Sequence, residues 1–165
     1  MRAILLLVVA VVLSSCGGPS STQIRDAKSA EYKAPPKQVL DVALQVTQQT
    51  YKIGAIDPDG LRFGTASQWY SKEGGRISPN NEGGGDFVNA GGGDVQVTLI
   101  VQVHLVPNDR VVVSVTPVTF ELVAESPQPR ELKADDPNLP PWILGRVDSL
   151  AVEIHKHAKR YIEKP

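Results

Sequence analysis

The chain has 165 residues, with 17 Lys and Arg against 18 Asp and Glu, for a formal net charge of −1 at pH 7. That balance offers no basic surface for nucleic acid, and a single cysteine excludes an intrachain disulfide. The length suits one ordinary domain with short extensions, stabilised by core packing alone.

Arg2 is the only charge ahead of an uninterrupted apolar run from Ala3 to Leu13. A bilayer-spanning helix takes about 20 residues, so the run is too short to cross. A basic start, a short apolar stretch and small residues behind it predict a secretory signal peptide over residues 1–15. The run ends in Leu13-Ser14-Ser15-Cys16, which contains the one cysteine of the chain. This quartet resembles the lipobox of bacterial lipoproteins. The resemblance implies cleavage before Cys16, a diacylglycerol on its thiol and a fatty acyl chain such as palmitate on the new amine. In that family an Asp behind the cysteine accompanies retention at the inner membrane. Gly17 stands there instead, which implies a lipid anchor at the periplasmic face of the outer membrane. One acyl chain holds only marginally, at roughly 0.8 kcal/mol per buried methylene, whereas several chains hold durably.

Residues 16–30 carry Gly, Ser and charges with no apolar period, and predict a lipidated flexible tether. As a coil its 14 residues behind the cysteine would reach roughly 20 Å, leaving the domain near the lipid but free to turn. The domain is expected over residues 31–165. Ala30 to Ala34 suits a short edge strand. Pro35-Pro36 then opens a helix, since a proline in the first turn forfeits no hydrogen bond. Leu40, Ala43, Leu44, Thr47 and Tyr51 lie along one face of that helix, from Lys37 to Tyr51, and Val39, Val42 and Val46 widen it.

Lys52 to Asp57 and Leu61 to Tyr70 predict a hairpin around Asp57-Pro58-Asp59-Gly60. Its second arm places Leu61, Phe63, Thr65 and Trp69 on one face. Residues 71–94 hold Gly83-Gly84-Gly85 and Gly91-Gly92-Gly93. Such composition offers little burial against the entropy of ordering, so a disordered loop is expected, with Phe87-Val88 its one apolar island. Val95 to Val106 alternates cleanly and predicts a strand. Val111 to Val123 returns beside it, but its apolar phase jumps after Val115 to Val118, Phe120 and Leu122. Pro117 sits at the jump, which predicts a β-bulge or the end of central pairing. Ala124 to Pro141 reads as a surface connection. Trp142 to Ile162 is a second amphipathic helix, with Ile143, Val147, Leu150, Ile154, Ala158 and Tyr161 as its stripe. The fold class expected is α+β: a two-layer sandwich of a four- to five-stranded antiparallel sheet with two helices on one face.

The candidate chemistry is sparse. His155 and His157 are two apart on a helix, about 200° around it, and cannot hold one ion together. Both fall off the apolar stripe and are expected in solvent. His104 lies on the polar side of a strand without a second ligand, so no metal or other cofactor is expected. Asp57-Pro58-Asp59-Gly60 lacks the remaining ligands of a calcium loop and is explained as a turn. The glycine clusters lack the lysine and the strand–helix setting of a phosphate loop. With no catalytic motif, no enzyme activity is expected. Trp69, Tyr70 and Trp142 stand out in a chain with few aromatics. They suit either packing at the sheet edge and helix start or a protein-binding surface.

Tyr32-Lys33-Ala34-Pro35-Pro36, the helix closing near Tyr51-Lys52-Ile53, and Asp57-Pro58-Asp59-Gly60-Leu61 together resemble the helix-grip domains of BamC/NlpB-type lipoproteins. These belong to the outer-membrane β-barrel assembly machinery. The likeness is one of element order over some 130 residues, with one such unit here and two in that family, and it transfers no functional residue. It implies a non-catalytic binding or scaffold module in the cell envelope, with an envelope protein as partner and an accessory role in outer-membrane assembly. The alternative is a lipoprotein that binds a small hydrophobic or lipidic ligand between sheet and last helix.

Overall fold

A computed structural model describes residues 18–77, 91–124, 126 and 128–162. The expected signal peptide, Cys16 and residues 78–90 of the glycine-rich stretch, with Phe87-Val88, lie outside the described residues. The elements in chain order are α1 (Ser21–Ser29), α2 (Pro36–Gln48), β1 (Ile53–Asp57), β2 (Arg62–Thr65), β3 (Gln68–Tyr70), β4 (Val95–Val106), β5 (Arg110–Glu121), β6 (Arg130–Leu132) and α3 (Pro141–Ala158). A 3-10 turn, Lys159–Tyr161, closes α3.

The alternation in Val95–Val106 builds the central strand. Val95, Val97, Leu99, Val101 and Val103 are all buried on one face of β4. That strand pairs with β5 along its whole length, from Val95 opposite Glu121 to Val106 opposite Arg110. The turn between them holds Asn108 and Asp109 at φ of 64° and 53°, a left-handed conformation that short polar side chains tolerate best. The sheet is antiparallel, in the order β1-β2-β4-β5-β6, with β3 also on β4. Helices α2 and α3 lay their apolar stripes on the inner face, where Val39, Ala43, Ile143 and Ile154 join the β4 valines in one core. The outcome is the two-layer α+β sandwich that the periodicity predicts, with a sheet of six strands and three helices.

Several local expectations are corrected. The first is the tether. Ser21–Ser29 is a helix, not coil, and it packs on α3. Ser20 caps it: its hydroxyl accepts from the Gln23 amide, and the Gln23 side chain accepts from the Ser20 amide at 2.8 Å. This is a capping box. Ala27 is buried, and Lys28 reaches Asp148 of α3 at 2.7 Å.

The second concerns Trp69. The strand breaks at Ala66-Ser67, and β3 resumes with its faces exchanged. Phe63 opposes Val101 on the inner face, whereas Trp69 opposes Gln96 on the outer face. Thr65 bridges the break, its hydroxyl accepting the Leu99 amide at 3.0 Å, so the ladder of β4 loses no partner there.

The third is the bulge. Pairing between β4 and β5 runs through Pro117, which sits opposite Leu99 without a register shift. The reason lies on the other edge of β5. Val111 exchanges both backbone bonds with Tyr32 on that edge, at 3.0 and 2.8 Å. A period of two turns the amide position of residue 117 the same way, away from β4. The missing proline donor therefore costs no bond to β4. Val118 and Phe120 are simply the apolar members of the outer face.

The fourth is Ala124 to Pro141. Within it Arg130–Leu132 adds a short edge strand to Thr119–Glu121, tied by the Arg130–Glu121 ion pair at 2.8 Å. Ala30 to Ala34 contributes a single bridge, Tyr32 to Val111, rather than a strand.

Thr119 is the one orphan among the described side chains: its hydroxyl is buried with no hydrogen-bond partner. Leaving such a group unpaired costs about 1–3 kcal/mol, and an isosteric apolar side chain removes the cost. Thr119→Val is therefore expected to raise stability by about 1 kcal/mol or more, read as a higher midpoint in urea denaturation. An unchanged or lower midpoint would show that the hydroxyl has a partner in solution.

Candidate functional site

The sequence singles out Trp69, Tyr70 and Trp142 beside Cys16. Folding brings two of the aromatics together. Tyr70 ends β3 on the inner face, opposite Val95. Pro141 starts α3 and sets Trp142 in its first turn. The two rings meet with centroids 5.1 Å apart at 55°, a tilted contact that suits the quadrupoles of aromatic rings. Trp69 lies on the opposite sheet face and is buried there. Of the three, Trp142 alone is partly exposed.

Arg146 completes the cluster. It follows Trp142 by four residues on α3, so it lies on the same side of the helix. Its guanidinium carbon is 4.5 Å from the Tyr70 ring centre and 5.2 Å from that of Trp142. Contacts of this kind contribute about 0.5–2 kcal/mol each, depending on desolvation. Its Nη2 also donates to the Gly74 carbonyl at 3.3 Å.

The turn that carries Gly74 belongs to the glycine-rich stretch expected to be disordered. Residues 71–77 are instead folded back on β3. The Ser71 amide donates to the Gly75 carbonyl at 2.8 Å, and the Ile77 amide donates to the Trp69 carbonyl at 2.9 Å. The Trp142 indole N–H donates to the Lys72 carbonyl at 2.9 Å. Gly74 is required by this contact. Its φ is +91°, and a Cβ there would stand 3.0 Å from the indole Cδ2. At the far end of the stretch, the Gly93 amide donates to the Leu122 carbonyl at 2.8 Å, so residues 91–94 are also held to the sheet.

Beside this cluster lies an open groove of about 620 Å³, lined among others by Gly18, Pro19, Tyr51, Trp142, Gly145 and Arg146. Gly145 leaves its side of the groove empty: no heavy atom lies within 4 Å of where a Cβ on it would stand. Gly18 and Pro19, which lead into α1, thus lie beside the aromatic cluster.

The histidines are placed differently from the sequence expectation. His155 is half-buried, not in solvent, and its Nδ1 lies 3.1 Å from the Tyr32 hydroxyl. Burial lowers the His155 pKa first; Lys159 adds to the lowering, while Asp26 opposes it. Burial likewise pushes the Tyr32 phenol up to about 12. Tyr32 is 1% exposed, so this pair is a staple between the N-terminal segment and α3 with no room for a substrate. His157 is exposed, and His104 bonds Ser114 at 2.8 Å on the outer face. Among the described residues no group of three His, Cys, Asp or Glu is placed to hold a metal ion. Asp57 caps its own turn: the Gly60 amide donates to it at 2.9 Å and Arg62 at 3.0 Å. The Gly60 bond leads in holding its carboxyl below the usual range, with Arg62 next.

No protein-family model matches the chain, and no curated protein sequence matches it.

Two outcomes are expected from this geometry. Gly74→Ala should cost about 1–2 kcal/mol, the usual penalty for a side chain at left-handed φ, and should expose Trp142 to quenchers. Gly75→Ala, free of the positive φ, should cost less in the same denaturation series. For His155, the folded pKa lies below the unfolded value of about 6.5. Its neutral ring therefore contributes stability that is complete above that pH and is lost as pH falls through the lowered folded value. The urea midpoint should drop on acidification below pH 6.5, and His155→Gln should flatten that slope. An equal slope in the variant would place the sensitivity elsewhere.

Proposed function

We propose that the chain is a lipid-anchored lipoprotein of the cell envelope, held at the periplasmic face of the outer membrane, whose domain is a non-catalytic binding or scaffold module. The observation that carries this is Leu13-Ser14-Ser15-Cys16 directly behind the apolar run Ala3 to Leu13 and Arg2. A signal segment that ends on the only cysteine gives that thiol one evident use, as the acylation site. Among the described residues no helix is long and apolar enough to cross a membrane, so membrane attachment rests on Cys16.

The module reading is supported by the structural engagement of the polar groups. Asp57, Arg62, Arg130 and Glu121 are held in turn and edge contacts, and Arg146 in its aromatic stack. The resemblance of the Tyr32 to Trp69 stretch to the BamC/NlpB-type pattern suggests an envelope protein partner and an accessory role in outer-membrane assembly. A lipidic ligand between sheet and α3 has less support. Ile143, Leu150, Ile154 and Ala158 fill that interface and are at most 4% exposed.

Cys16→Ser is expected to shift the protein from the membrane pellet to the soluble fraction of lysed cells. Unchanged partitioning into detergent would overturn the anchor. For the module, chemical crosslinking in intact envelopes should yield one stoichiometric protein adduct. Its repeated absence would remove the partner from the reading.

A further inference from the structure

We propose that the end of the domain where α1 and α3 begin, rimmed by Trp142 and Leu144, is the face that rests on the phospholipid bilayer. This rests on the reading of Cys16 as the acylated residue and adds an orientation to it.

The chain emerges at that end. Gly18 and Pro19 line the groove with Trp142 and Arg146, and α1 is fixed from its cap onward by Ser20 and Gln23, by buried Ala27 and by the Lys28–Asp148 pair. Only Gly17 separates Cys16 from Gly18. Two Cα steps of about 3.8 Å put the acylated residue within about 8 Å of the groove. The headgroup layer on one side of a bilayer is itself about 5–8 Å deep. A leash that short cannot let the body turn over. The opposite end of the domain, the β4–β5 turn, lies a full twelve-residue strand away, roughly 40 Å.

The chemistry of the near end suits a headgroup layer. Tryptophan is enriched at that depth because one part of it is apolar and one polar. The indole N–H of Trp142 is already satisfied by the Lys72 carbonyl, so burying the ring in lipid would strand no donor. Leu144 is in the same turn of α3, between buried Ile143 and Gly145, and is 43% exposed. It belongs to no core cluster. Asp148 is neutralised by Lys28, so it sets no unpaired anion against the phosphates.

Leu144 and Leu105, which is 66% exposed at the far end, make a matched pair for a test. Leu144→Cys and Leu105→Cys are each introduced into the full chain. Acylation at Cys16 leaves the new thiol as the only free one, and it is labelled with an environment-sensitive fluorophore. The acylated proteins are reconstituted into vesicles of phosphatidylethanolamine and phosphatidylglycerol. The label at 144 should shift its emission to the blue and be quenched several-fold more by nitroxide-bearing lipid than the label at 105. Equal quenching, or stronger quenching at 105, overturns the orientation. So does a label at 144 that stays wet in these protein-free membranes, as it would if that end served a protein partner instead. A chain whose N-terminal peptide carries no acyl mass overturns the anchor itself, and mass spectrometry separates that failure from the others.

Discussion

Everything in this molecule is arranged around one twelve-residue antiparallel pairing, β4 with β5. The buried inner face of β4 is a row of four valines and one leucine. A row like that cannot be left in water, at roughly 25 cal/mol for each Å² of apolar surface. Helices α2 and α3 are stabilised chiefly by supplying its cover, since most helical stability in proteins comes from packing an amphipathic face, and an isolated helix of 13 residues such as α2 is marginal in water. The third helix depends on this arrangement at one remove. α1 is short and carries little apolar surface of its own, so it is held mainly by α3. Tyr32 then ties the end of that segment to both layers, through the Val111 backbone and through His155.

The aromatic cluster follows from the same packing. Tyr70 is fixed by its pairing with Val95, and Trp142 is fixed by the start of α3. Arg146 fills the angle between the rings and holds the Gly74 turn. The result is a rigid corner, in which side chains, backbone carbonyls and one left-handed glycine define each other's positions. That rigidity is what makes the corner able to hold a fixed relation to whatever lies against it. With the proposed acyl chains on Cys16, two residues before Gly18, a fixed relation to the lipid is the natural consequence.

Periodicity makes the large elements legible. The alternation of Val95–Val106 and the stripes of α2 and α3 each extend over many residues, so local exceptions do not hide them. The misreadings fall where a pattern is short or changes phase. α1 lacks a full stripe, having only Ile24, Ala27 and Ala30 on its inner side, although Ser20-Ser21-Thr22-Gln23 spells a capping box that points to a helix start. The three residues of β6 are too few to show a period. Alternation carried across Ala66-Ser67 puts Trp69 on the inner face, but parity is lost at that break. Pro117 suggests a bulge only if every apolar residue must face the core, whereas Val118 and Phe120 face outward and Thr119 inward. Within the site, Tyr70 and Trp142 are visible from composition and Arg146 is not. Its signal is the four-residue spacing from Trp142, which gains meaning only once Tyr70 is known to stand beside it.

Pro117 has a consequence beyond the pairing it leaves intact. Between the Tyr32 bridge and β6, the rim of β5 has no strand partner among the described residues. Such a rim is a template on which another copy can add a strand. On the proposed lipid anchor, copies of this chain would meet one another far more often than the same number dissolved in a volume. A ring nitrogen without hydrogen on that rim withholds one of the donors such a zipper would need, and so helps keep crowded neighbours separate.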